Sequence, residues 1–423
     1  MKIIKTLTAL SFVAVVAFSC QNDDSIKNIE KENSEEPVDN TDTTDDTDTE
    51  STETPEPTSL TSSLDRLFFE QLRGFGDIYS EKEFIRDYYF LDYPMYFIFK
   101  NASGGVEKGF IINPISTIET AVKLGKNENF GLNIYRYDKL IDNGLKELND
   151  GNGLYAFDFE IDGEDNYYLQ VYEEAGIKGL NGLNDITTAA HEAFHDHYQT
   201  TDATTNSDWE WDWDLKQDKD NFPITKELLE LQILNTEILK ELPNIKDISI
   251  IREKMKQYIS IKSKEMEIDP SSDKLILNME LRQERLEGSP HYVEILARRE
   301  FSKQNANDPN YEDFGITTLD NKESFFTPGK KHLPFTYDIK SKPELQNVLG
   351  FDVAYPMGAS VIYCINELDK SKWQQIKTKT PYEIISSMLN LNTTEKEQAI
   401  EKAKASVDWK KIQNRATELL NLR

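Results

Sequence analysis

Apolar positions along the chain change character after Asn184. From 60 to about 89 they recur at helical spacing, with Leu64, Leu67, Phe68 and Leu72 on one face. Past Pro94, the run Met95, Tyr96, Phe97, Ile98, Phe99 reads as a strand, 101–105 as a turn and 109–113 as a partner strand. A second extended pair flanks Asp162, Gly163, Glu164 and Asp165, because 155–161 alternates and 167–172 is aromatic and β-prone. Helices then take over. Asn184 or Asp185 is placed to cap a helix over 186–199, and amphipathic stretches follow at 228–242, 248–266, 275–286, 292–301, 359–368 and 382–389. The expected class is α+β, with a smaller mixed N-terminal lobe over 60–185 and a larger helical lobe over 186–423.

The first 59 residues fall outside that pattern. Lys2 and Lys5 precede an apolar run over 6–18 that is too short to span a bilayer, as in an export signal covering 1–20. Ala17-Phe18-Ser19-Cys20 resembles the lipobox of bacterial lipoproteins. The resemblance implies cleavage before Cys20, lipidation of its thiol and a membrane anchor made of acyl chains. Residues 21–59 carry 14 Asp/Glu against two Lys, too little apolar surface to offset ordering entropy, so they read as an acidic tether. Gln21-Asn22-Asp23-Asp24 resembles the surface-export tag of some Gram-negative lipoproteins, which implies outer-membrane attachment facing outward. Cys364, the other of two cysteines, sits in an apolar stretch and reads as core.

The chain has 423 residues and a formal charge of −28, which argues against a nucleic-acid partner because phosphate recognition needs clustered cations. A 38% hydrophobic fraction suffices for a folded core.

Candidate chemistry is concentrated in His191-Glu192-Ala193-Phe194-His195. Helical i, i+4 spacing puts both imidazoles on one face, where they can share a metal ion. Glu192 is turned away from the pair, as suits a general base. With five histidines in the chain, random placement yields such a motif in roughly one sequence of this composition in two hundred. A catalytic zinc takes three protein ligands. Candidate third donors are Glu287, Glu284 and His291, grouped within 284–294.

The motif followed by Glu287-Gly288 and then Tyr292-Val293-Glu294 resembles the gluzincin metallopeptidases, nearest the aminopeptidase N pattern. That resemblance implies a zincin-like fold with the active-site helix where the lobes join, Zn2+ held by His191, His195 and Glu287, and Glu192 as base. Tyr355-Pro356-Met357-Gly358-Ala359 resembles the family's Tyr-x-x-Gly-Ala segment, which implies Tyr355 as oxyanion donor. Two departures stand out. The 91 residues between His195 and Glu287 exceed the family spacer, so helices must be inserted there. Pro290 replaces a small residue and should start or kink a helix. The family's amine-recognition motif is not visible; Gly179 to Leu183 lacks its glutamate.

The expected function is a membrane-anchored zinc metallopeptidase acting on peptide or protein. Competing readings are a lipoprotein that binds peptides on the same scaffold without turnover, and a structural lipoprotein whose motif is coincidental. The intact Glu192 argues against a pure binder. His197 reads as a supporting or surface residue, and Trp209, Trp211 and Trp213 as a rim or a loop staple.

Overall fold

A computed structural model describes residues 60–422 apart from 83, 85–87, 102, 127, 152, 174–179, 200–219, 306–323 and 327–338. The signal segment, Cys20, the tether and the three tryptophans at 209, 211 and 213 lie outside the described residues, as does the side chain of His197.

Helix α1 (Ser63–Lys82) precedes the strands β1 (Met95–Lys100), β2 (Val106–Ile112), β3 (Val122–Lys123) and β4 (Ile134–Arg136). Helix α2 (Ile141–Asp150) and the hairpin β5 (Tyr155–Ile161) and β6 (Glu164–Glu173) follow. The sheet order is β3-β4-β2-β1-β6-β5, with β1 and β6 parallel and the other pairs antiparallel. Between β5 and β6, Asp162 (φ 53°) and Gly163 (φ 87°) adopt the left-handed conformations that a tight hairpin turn demands.

Both faces of the sheet are covered, which explains the unbroken apolar run of β1. Met95, Phe97 and Phe99 enter the main core, whereas Tyr96 and Ile98 join Leu148 of α2 in a smaller cluster on the other face. The main cluster continues from Phe68 in α1 to Leu419 near the C-terminus.

The helices after the sheet are α3 (Leu180–Ala193), α4 (Lys226–Leu239), α5 (Ile248–Ile268), α6 (Leu281–Leu286), α7 (Gly288–Gln304), α8 (Lys342–Asn347), α9 (Ala354–Leu368), α10 (Pro381–Leu389), α11 (Thr393–Ala405) and α12 (Trp409–Leu420). The central α9 packs on α7, α6 and α5. Lys342–Leu368 is long and apolar enough to cross a membrane, but 94% of its most apolar window is buried inside the protein, as in a core helix. Cys364 is buried there with Val361, Ile362 and Ile365.

Helix α3 starts at Leu180, earlier than the expected cap at Asn184 or Asp185. The Asp185 carboxylate instead accepts the backbone N–H of Glu173, and its carbonyl accepts from Gln170 Nε2 at 3.0 Å. A residue that looks like a cap thus docks the helix against β6. Burial raises its carboxyl to about 7. The last two helices, α11 and α12, were not among the expected elements, although a capping box at Asn392/Glu395 opens the first and Asp408 caps the second.

Behind α6 lies a buried charged cluster. Lys262 Nζ is 3.1 Å from Glu265 and 3.2 Å from Glu284, and also contacts Glu280; all four side chains are fully buried. Tyr258 donates to Glu284, and Gln232 Nε2 donates to Glu280 at 2.9 Å. Three carboxylates against one ammonium leave the cluster short of positive charge. Burial raises Glu265 to about 8 and Glu284 to about 6, with Lys262 opposing in both cases. Lys262→Met should therefore destabilise the protein by about 3–5 kcal/mol at pH 8, because buried carboxylates lose their partner. The loss should shrink below pH 6, where protonation neutralises them; urea unfolding at both pH values measures it.

Candidate metal centre

Helix α3 carries His191 and Glu192, and its continuation Phe194–Gln199 widens into π-helical turns that hold His195 and Gln199. Such widened turns recur at functional sites. The imidazole centroids lie 5.0 Å apart. Glu287 occupies the single position between α6 and α7, with α4 and α5 inserted ahead of it in the chain. Pro290 falls in the first turn of α7, and the Leu286 carbonyl that its missing N–H would have met accepts from Gln199 Nε2 instead, at the break between α6 and α7.

His191, His195 and Glu287 each present a donor atom within 4.8 Å of the others, and all three are buried. Among the described residues they form the one such group able to hold a metal ion. Glu287 Oε2 lies 3.4 Å from Nε2 of His191 and 3.4 Å from Nε2 of His195. Those separations are long for hydrogen bonds. They match the edge of a tetrahedron with about 2.0–2.1 Å metal–ligand bonds, roughly 3.3–3.4 Å. Two imidazoles and a carboxylate also suit zinc chemically.

The far nitrogen of each imidazole is held as well. Glu294 Oε2 lies 3.4 Å from His191 Nδ1, and Gln199 Oε1 lies 2.8 Å from His195 Nδ1. Gln199 Nε2 in turn donates to the Leu286 carbonyl at 2.9 Å. Such partners fix ring orientation and leave both Nε2 atoms facing Glu287. Gln199 was not singled out from sequence; its i+4 spacing from His195 was the available sign.

The other two candidate donors are committed elsewhere. Glu284 belongs to the Lys262 cluster. His291 directs Nε2 to the Phe325 carbonyl at 2.9 Å and Nδ1 to Glu294 at 3.4 Å.

Backbone packing sets the position of Glu287. A Cβ on Gly288 would sit 2.5 Å from the Gly358 Cα, and one on Gly358 would sit 1.8 Å from the Glu284 carbonyl oxygen. Helices α7 and α9 therefore meet backbone to backbone, which brings Tyr355, one turn before Gly358, to the site. Its ring stacks on His191 at 5.8 Å and meets Phe351 at 5.4 Å. Its hydroxyl faces Glu287 and Glu192.

The electrostatics follow from this enclosure. Burial alone would push Glu287 up, but His195 and His191 outweigh it and hold the carboxyl below the usual range. Glu294 is likewise held low against burial by the His191 and His291 imidazoles beside it. Burial disfavours the His191 cation, yet Glu287 and Glu294 keep its pKa well above the ordinary value. Burial raises Glu192 against the opposing pull of both imidazoles. Tyr355 is raised by burial and by Glu287, so its phenol stays protonated. Tyr155, which was not recognised in the sequence, reaches from β5 to hydrogen-bond Glu192.

Compared with protein-family models, curated proteins and solved structures, the chain matches none.

Three outcomes are expected. Glu287→Gln should lose most bound zinc, whereas Glu284→Gln and His291→Gln should keep about one ion per chain by metal analysis. Zinc affinity should fall about tenfold for each pH unit of acidification, also above neutrality, because the ion displaces the raised-pKa proton of His191. Titration calorimetry at several pH values checks this. Gly358→Ala should destabilise the fold by about 3 kcal/mol or more, as seen in denaturant midpoints, since the new methyl meets backbone and not a yielding side chain.

Proposed function

We propose that this chain is a zinc-dependent metallopeptidase of gluzincin type on a zincin-like scaffold. One observation carries the reading: His191, His195 and Glu287 converge in a buried group, and Glu192 and Tyr355 face the same carboxylate. Zinc bound by those three side chains would supply a Lewis acid that acidifies water and polarises a scissile carbonyl.

Glu192 adjoins His191 in sequence but is not one of the three donors. With its pKa raised, it takes a proton from the attacking water as the new C–O bond forms. It then delivers that proton to the amide nitrogen as the C–N bond breaks, so the products are a carboxylic acid and an amine. Tyr355, protonated at neutral pH, donates to the carbonyl oxygen as negative charge develops there. Glu294 and Gln199 hold the two imidazoles in register throughout.

The N-terminal pattern adds a location. Cys20 as a lipid anchor, followed by an acidic tether, supports a location in the cell envelope as an outer-membrane lipoprotein. Peptides or proteins outside the membrane are then its substrates, and a net charge of −28 favours cationic ones at low ionic strength.

Purified protein should contain about one zinc per chain and cleave a mixed peptide library, and Glu192→Gln should slow cleavage by about 100-fold or more with zinc retained. Equal cleavage by both proteins would sink the reading. Peptide binding without product at full zinc occupancy would favour a non-hydrolysing binder.

A further inference from the structure

The structure assigns a role to Tyr155: we propose that it is a positioning residue that holds Glu192 in the orientation needed to act as base. The proposal rests on the hydrolase reading above.

Tyr155 opens β5, the edge strand at one end of the sheet, and pairs in register with Gln170 of β6. Cross-strand partners in register project to the same face. Gln170 uses that face to donate to the Asp185 carbonyl at 3.0 Å, and Tyr168 braces it by donating to its Oε1 at 2.6 Å. Asp185 and Glu192 are seven residues apart, two turns of α3 and therefore on one side of it. One rung of the sheet thus touches the helix at both ends of that two-turn span, through Gln170 at Asp185 and through Tyr155 at Glu192. Tyr88 adds a third tie, donating to the Ala190 carbonyl at 2.7 Å.

The phenol itself is enclosed, 5% exposed, with its ring 6.1 Å from Tyr168 and 5.4 Å from Phe157. Burial and the nearby carboxylates Glu192 and Glu287 raise its pKa far above the ordinary value, so it stays a hydrogen-bond donor. Glu192 has three side-chain torsions and little solvent around it. Without a fixed donor the carboxylate is free to change rotamer. One oxygen engaged by Tyr155 leaves the other for the attacking water. Tyr355, from α9, is directed at Glu287 instead, so the two phenols serve different carboxylates.

The test is a double-mutant cycle on the zinc-loaded full-length protein, with kcat and KM measured for Tyr155→Phe, Glu192→Gln and the double variant. Tyr155→Phe should lower kcat about 10- to 100-fold, leave KM within about twofold and retain zinc. In the Glu192→Gln background the same change should do nothing further, because Tyr155 acts through that carboxylate. Tyr167→Phe, on the opposite face of the same strand pair, should leave kcat unchanged. A crystal structure of Tyr155→Phe supplies a readout that needs no turnover: Glu192 should occupy more than one rotamer while His191, His195 and Glu287 stay in place. Wild-type kcat in Tyr155→Phe, an equal loss in both backgrounds, an equal loss in Tyr167→Phe, or a single unchanged Glu192 rotamer would each overturn the proposal. If the wild type cleaves no peptide, the peptidase reading fails and the rotamer outcome alone decides whether Tyr155 positions Glu192.

Discussion

Where α7 crosses α9, two glycines face each other and main chain rests on main chain. Close approach of this kind is unavailable to any other residue pair, since each added Cβ would overlap backbone that cannot rotate aside. The crossing determines what lies on either side of it. Glu287 precedes Gly288, and Tyr355 stands one turn before Gly358, so the contact sets how far the carboxylate stands from the phenol. The histidines come from a third helix, which the sheet holds through the contacts of Gln170 and Glu173 with Asp185, and which Tyr88, from the segment before β1, ties at Ala190. The candidate centre is therefore assembled from three independently anchored pieces, and its geometry is only as firm as their docking.

Charge reinforces that docking. The Lys262 cluster sits one turn of α6 behind Glu287, so two groups of buried carboxylates occupy neighbouring positions in the fold. In one, an ammonium faces the carboxylates; in the other, two imidazole nitrogens face one carboxylate at separations that suit a metal ion. Burial penalises Glu287, Glu265 and Glu284 alike, and the outcome depends on the neighbour. Two imidazoles outweigh the penalty at Glu287, whereas a single shared lysine leaves Glu265 and Glu284 raised. Glu287, and not Glu284, belongs to the group of three because Lys262 and Tyr258 already engage the Glu284 carboxylate.

Much of this was legible in the chain because short-range spacing reports helical geometry directly. His191 and His195 are four apart, Asp162-Gly163 marks a hairpin, and the apolar run at 95–99 marks a strand. The mixed sheet followed by helices was readable for the same reason. What escaped were features fixed by long-range packing. Strand order, and hence the placement of β5 at an edge beside α3, has no local signature. Tyr155 is one aromatic in a strand rich in them, and only the folded sheet brings it to Glu192. Asp185 has the composition of a cap, yet β6 offers its carboxylate a better partner. Gln199 needed the widened turn of the helix to reach both His195 and Leu286. In Glu284, Glu287 and His291, one helical face offered three donors, and the choice among them was made by Lys262, the Phe325 carbonyl and the glycine crossing.

The 91 residues between His195 and Glu287 contain α4 and α5, so any ion shared by these side chains closes a long loop of chain. Such an ion acts as a removable staple. The entropy lost in closing a loop grows only logarithmically with its length, so the inserted helices add little to the cost of closure. A chelator would open that staple without breaking a covalent bond, returning the spacer to an ensemble held by packing alone. Resistance to proteolysis in this chain would then follow the metal content of its surroundings.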